Sequence, residues 1–140
     1  MSEKFEILLK YVKDISTETP DAETHLFVKD NLLSYVVDIN INSKALKNKL
    51  IEVNTKFEFK DGKVNNKKSY FEILFATVIK IDENIKSKKE LEKIVLADVQ
   101  NKIYPDIEER FLKLLEVSGY PNIKIRKKVN FDKLYEERKN

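Results

Sequence analysis

The sequence predicts an α+β fold, an antiparallel sheet followed by helices on one of its faces. Three observations carry this. Residues 50–60 alternate: Ile51, Val53, Thr55, Phe57 and Phe59 share one parity, while Glu52, Asn54, Lys56, Glu58 and Lys60 share the other. Residues 69–81 alternate too, with Phe71, Ile73, Phe75, Thr77, Ile79 and Ile81 on one face. From Leu91 onward, apolar residues instead recur at helical intervals, at Ile94, Val95, Val99 and Ile103. Strands first and helices afterwards is the order of an α+β domain.

Residues 4–15 are mixed and apolar-rich, and belong to the strand-forming half. Ser16 to Asp30 is polar and contains Pro20, so it is expected to be a long connection. In residues 32–41, Tyr35, Val37, Ile39 and Ile41 line one strand face. After the strand at 50–60, Asp61-Gly62 begins a polar turn. Ser87 to Glu90 has capping-box spacing and opens the long helix. Pro105 is expected to kink or break that helix; Ile107, Phe111, Leu112 and Leu115 then resume its stripe. Gly119 and Pro121 mark its end. A short helix follows Arg126-Lys127-Lys128, with Asn130 or Asp132 as its N-cap.

The 140 residues suit one domain spanning 1–140, able to bury roughly two-thirds of its extended-chain surface. With 41% apolar and 36% charged residues, the chain has both a core and a heavily solvated exterior. It has no cysteine, which excludes disulfides and thiol chemistry. No apolar run is long enough to span a membrane and no signal-peptide pattern opens the chain, so a cytoplasmic location is expected, without membrane insertion.

Catalytic groups are scarce. The sole histidine, His25, lies beside Leu26 and Phe27, where a structural role is expected. There is no phosphate loop, nucleophile elbow or zinc-protease helix, so neither a cofactor nor an enzymatic activity is expected. Glu108 and Glu109 are adjacent on a helix and point apart. Lysines cluster at Lys60, Lys63, Lys67 and Lys68, and Arg126 to Lys128 form a second basic group. The net charge is only +3 and aromatics do not interleave with the lysines, so nucleic acid is not the expected partner.

One feature exceeds what a core needs. The second face of the strand at 69–81 carries Tyr70, Glu72, Leu74, Ala76, Val78 and Lys80. A sheet covered by helices on one side needs a single apolar face. Surplus apolar surface points to an oligomer or to a partner, and the partner best suited to broad apolar area is another polypeptide.

The stretch Tyr11-Val12-Lys13-Asp14-Ile15-Ser16-Thr17-Glu18-Thr19-Pro20-Asp21-Ala22, continuing through His25, Phe27, Lys29 and Asp30, resembles the N-terminal signature of the SecB export chaperones. Tyr104-Pro105, Gly119-Tyr120-Pro121 and Val129 to Tyr135 match that family near the other end, in the same order. The resemblance implies a four-stranded antiparallel sheet, a long helix and a short C-terminal helix, assembled as a homotetramer built from two dimers. It implies an ATP-independent holdase that keeps unfolded preproteins in apolar grooves and delivers them to the SecA motor ATPase. By the same resemblance, Tyr35, Val37, Ile39, Phe131, Leu134 and Tyr135 are the client-binding residues. Asp14, Glu18, Tyr70 and Glu72 form the SecA-docking surface. A SecB-like chaperone serving a toxin–antitoxin system, or a general holdase, is the alternative within the same resemblance.

Overall fold

The sheet is built from four antiparallel strands: β1 (Phe5–Glu18), β2 (Tyr35–Ala45), β3 (Leu50–Asp61) and β4 (Tyr70–Ile81). They lie in the order β1-β4-β3-β2, so β1 and β2 form the two edges. The computed structural model describes residues 4–32, 35–61, 69–120 and 129–139. Gly62, Lys63, Lys67, Lys68, Pro121 and Arg126 to Lys128 lie outside these.

The register explains the alternation. Phe57 pairs with Ile73 and Phe59 with Phe71 across β3 and β4, so their apolar parities fall on one inner face. Opposite it, Glu52 pairs with Val78, Asn54 with Ala76, Lys56 with Leu74 and Glu58 with Glu72. β2 continues the inner face, pairing Val37 with Phe59 and Ile39 with Phe57. In β1 two bulges, after Ile7 and after Val12, interrupt the alternation. They leave Phe5, Ile7, Val12 and Ile15 paired with inner residues of β4, and Leu9, Tyr11 and Asp14 with outer ones.

The turn between β2 and β3 holds Asn48 and Lys49 at φ 61°, both left-handed. This is the pattern of a type I′ hairpin, closed by Leu50 N–H donating to the Lys47 carbonyl at 3.4 Å. Asparagine tolerates this conformation; lysine does so at a cost of about 1–2 kcal/mol. Lys49→Gly removes that strain and adds some unfolded-state entropy. It is therefore expected to stabilise the protein by about 0.5–1 kcal/mol, read as a raised urea midpoint at an unchanged m-value.

Helices cover the inner face. The long helix begins as α2 (Lys88–Lys93) and widens into a π-helical turn at Ile94–Asp98. It continues as α3 (Val99–Val117). The Ser87 hydroxyl accepts from Glu90 N–H at 3.4 Å, as the capping-box spacing predicts. In the π turn, Val99 N–H reaches back to the Ile94 carbonyl. The buried Gln100 side chain donates to the Val95 carbonyl at 3.2 Å and accepts from the Thr55 hydroxyl at 3.0 Å, tying the helix to β3. Phe111 packs on Phe57 and Phe59 with ring centroids 4.8 and 5.4 Å apart.

Two expectations are corrected. Of the kink or break expected at Pro105, the break does not occur: the proline lies inside α3. Pro105 and Asn101 are on the exposed side, where water can serve the Asn101 carbonyl that the proline leaves without a donor. Nor is Ser16 to Asp30 a plain connection: β1 runs to Glu18, and α1 (Ala22–Asn31) follows Pro20. The Asp21 carboxylate caps α1 by accepting from Thr24 N–H at 2.8 Å.

A paired C-terminal bond ends α3: Gly119 N–H donates to the Glu116 carbonyl and Tyr120 N–H to that of Leu115. Gly119 has φ +95°, and a Cβ there would stand 2.6 Å from His25 Nε2, so only glycine fits. His25 stacks on Tyr120 at 4.3 Å and its Nε2–H donates to the Gly119 carbonyl at 3.2 Å. The histidine thus anchors α1 to the end of α3. The Tyr120 hydroxyl meets Ser69 Oγ at 3.0 Å, and Ser69 Oγ meets Thr19 Oγ1 at 2.7 Å. Finally, α4 (Phe131–Lys139) is capped by Asn130, whose Oδ1 accepts from Lys133 N–H at 3.0 Å.

Candidate functional site

Phe131, Leu134 and Tyr135 stand at positions i, i+3 and i+4 of α4 and therefore share one face. That face turns toward β2 and the π turn. Together with Ile39, Ile41, Leu96 and Glu137 the three residues line an open groove of about 210 Å³. Phe131 and Tyr135 are buried, whereas Leu134 is 41% exposed and stands at the rim. Behind them Tyr104 meets the Phe131 ring edge-on at 5.5 Å. Burial, and then the Glu108 carboxylate, push the Tyr104 phenol up to about 12, so it is neutral at physiological pH. Most of the lining is apolar, with the Tyr135 hydroxyl and the Glu137 carboxylate among its polar groups.

Four of the six residues expected to hold clients, Ile39, Phe131, Leu134 and Tyr135, thus meet in one groove. Val37 is half-buried two residues along the same strand face. Tyr35 is elsewhere. It is buried against Phe59 and Phe71 at the start of β2, and its hydroxyl accepts from Ser69 N–H at 3.2 Å. Three lining residues, Ile41, Leu96 and Glu137, are not among the binders expected from sequence. Ile41 belongs to the alternation of β2 that already contains Ile39. Leu96 faces the groove from the π turn, for which the sequence carries no evident signal. A second apolar hollow, of about 570 Å³, lies between the β2–β3 turn and the start of α2, with Leu46, Leu50, Ile81, Ile85 and Leu91 in its lining.

The other expected set lies on the outer face of the sheet. Asp14 pairs with Leu74, Ser16 with Glu72 and Glu18 with Tyr70, so Asp14, Glu18, Tyr70 and Glu72 share one surface at the β1–β4 seam. Asp14 accepts from the Ser16 hydroxyl at 3.2 Å. The Tyr70 hydroxyl donates to Glu72. Toward β3, Lys56 Nζ lies 2.7 Å from Glu72 and 3.4 Å from Glu58, and Lys60 Nζ lies 3.0 Å from Glu58. Burial raises the Glu58 pKa, but hydrogen bonds from Lys60 and Lys56 outweigh it and hold the carboxyl below its usual range. Apolar side chains border these charges: Leu9, Tyr11 and Tyr70 are exposed, and Leu74 and Val78 half-buried.

The β1 edge is also apolar, with Leu8, Leu9, Val12 and Ile15 each exposed. Among the described residues no group of carboxylates and histidine could hold a metal ion. No described helix is long and apolar enough to cross a membrane.

Comparison with known proteins agrees with this architecture. The family model described as preprotein translocase subunit SecB matches residues 1–140. The chain is 51% identical over 140 residues to a putative protein-export protein SecB of Pelagibacter ubique, with all of both chains covered. It is 28% identical over 134 residues to protein-export protein SecB of Rhodopseudomonas palustris, covering 94% of this chain and 78% of that one. Among solved structures, a SecB-like chaperone of Mycobacterium tuberculosis, in complex with a peptide from an antitoxin, has the same fold. Its TM-score is 0.67 at 13% identity, with 88% of this chain and 86% of that chain covered. A sheet backed by one long helix and a short terminal one, matched from end to end by the family model, places this chain in the SecB family, whose members are protein-export chaperones and not enzymes.

Proposed function

We propose that the protein is an ATP-independent holdase of the cytoplasm that binds unfolded preproteins in the groove between β2 and α4 and passes them to a SecA-type motor. The observation that carries this reading is the groove itself: an open, mostly apolar trough whose rim residue Leu134 is solvent-exposed. An unfolded client offers apolar side chains in irregular order, so its receptor needs apolar area more than exact polar geometry. Burial gives about 25 cal/mol per Å² before ordering costs are subtracted. One groove of this size is a weak site. The second hollow and further copies of the chain would raise avidity through effective concentration.

The β1 edge supports assembly of several copies. A 14-residue strand that lies at the sheet edge among the described residues, with exposed Leu8, Leu9, Val12 and Ile15, is suited to pairing with a second copy. Two such dimers give the homotetramer. The outer face at Asp14, Glu18, Tyr70 and Glu72, acidic on a chain that is basic overall, is the docking surface for the motor. Native mass measurement with and without a carboxymethylated, permanently unfolded polypeptide tests the reading. A tetramer that takes up the polypeptide without nucleotide is expected; a monomer that leaves it free would overturn the proposal.

A further inference from the structure

Lys56 stands on β3 beside the acidic outer face, where it pairs with Glu72 of that face and with the neighbouring Glu58. Its Nζ lies 2.7 Å from Glu72 Oε1 and 3.4 Å from Glu58 Oε1. Glu58 and Glu72 are directly opposed across β3 and β4. Like charges in that position repel, and Lys56 bridges them. The Lys56 side chain is 43% exposed while those of Glu58 and Glu72 are 9% and 12% exposed. A cation approaching this part of the face therefore meets an ammonium before it meets either carboxylate.

We propose that Lys56 is a built-in competitor for the docking partner, a specificity-determining residue that lowers the affinity of the outer face for any basic surface. This rests on the reading of that face as a docking site. The partner it fits carries Lys or Arg beside an apolar patch, so that the cations reach Asp14, Glu18 and Glu72 while the apolar part covers Tyr70 and Leu74. Both Glu72 oxygens are engaged, Oε1 by Lys56 and Oε2 by the Tyr70 hydroxyl, so an incoming cation gains Glu72 only at the expense of an existing partner, and Lys56 is the charged one. Losing one favourable pair while gaining another leaves a weak net attraction, which allows the partner to release. Arginine at position 56 would keep the competition; a neutral side chain would end it.

The test uses the full-length chain and two probes, a SecA-type motor ATPase and a carboxymethylated, permanently unfolded polypeptide. Lys56→Gln is expected to bind the motor about fivefold tighter at roughly 50 mM salt, with the gain lost near 0.5 M as screening removes it. Lys56→Arg should match the wild type, and affinity for the unfolded polypeptide should be unchanged in both variants. Where the unbridged Glu58–Glu72 opposition unfolds Lys56→Gln, the double variant Lys56→Gln/Glu58→Gln removes the repulsion and should show the same gain. Equal or weaker motor binding by a folded neutral variant, with the wild type binding, overturns the competitor role and leaves the docking reading standing. A wild type that does not bind the motor at low salt overturns the docking reading, and the competitor role falls with it.

Discussion

Leu134→Asp is expected to weaken the binding of an unfolded polypeptide by about tenfold or more without unfolding the protein. Leu134 is 41% exposed at the rim of the groove, while its neighbours Phe131 and Tyr135 are buried. Its substitution therefore leaves the packing of α4 on the π turn intact. A client side chain that covers about 60 Å² of apolar surface there gains about 1.5 kcal/mol, which is roughly the tenfold factor. A carboxylate at the rim also has to be desolvated when the client arrives, which adds to the loss. Fluorescence anisotropy titration of a labelled unfolded polypeptide, alongside a thermal melt, checks this. Unchanged affinity in a variant that melts with the wild type would place the client elsewhere.

Tyr35 shows why this position is preferable to the strand triplet Tyr35, Val37 and Ile39. Its ring lies against Phe59 and Phe71, and its hydroxyl accepts a buried bond from Ser69 N–H. Truncating a buried aromatic side chain costs about 3–5 kcal/mol, so a triple alanine variant would lose stability along with any binding. Sequence parity puts Tyr35 and Ile39 on the same strand face, and they are. It does not say how far along the strand the covering helix extends, and that decides which of them is core and which is groove.

The central strands were legible because both β3 and β4 are paired on each side, so that parity alone sets which side chains enter the core. β1 was harder. Bulges beside Leu8 and Lys13 shift its alternation twice, and its pairing with β4, rather than its own pattern, carries it to Glu18. The helix α1 gave little periodic signal because only Thr24 and Val28 are buried along it. Asp21 at cap distance from Thr24 was the available cue, masked by the preceding Pro20. Pro105 misled in the other direction, since a proline on the exposed side of a long helix is compatible with its continuation. In the site, the i, i+3, i+4 spacing of Phe131, Leu134 and Tyr135 made α4 readable. Leu96 was not, because a π turn reorients it. Lys56 reads in sequence as one more polar residue of an alternating strand; only the register with β4 brings it between Glu58 and Glu72.

Glu72→Lys is expected to reduce affinity for a SecA-type motor by about tenfold or more at low salt while leaving the binding of unfolded polypeptide unchanged. The substitution changes the local charge by two units at the centre of the proposed docking surface. It also leaves Lys56 without its 2.7 Å partner, so two ammonium groups face the incoming basic surface. Like-charge juxtaposition at an interface opposes docking, and here it does so mainly through slower association that recovers as salt is added. Misfolding does not confuse the outcome. Glu58 directly opposes position 72, and a Glu–Lys pair across two strands is more favourable than the Glu–Glu pair it replaces. The groove between β2 and α4 is on the other side of the sheet from Glu72 and keeps its lining. Glu72→Gln separates the two contributions: it removes the attraction without adding repulsion, and should give a smaller loss than the lysine. Surface-immobilised motor, titrated with each variant at several salt concentrations, measures all of this. Equal affinity of wild type and Glu72→Lys at low salt would remove the outer face from motor docking.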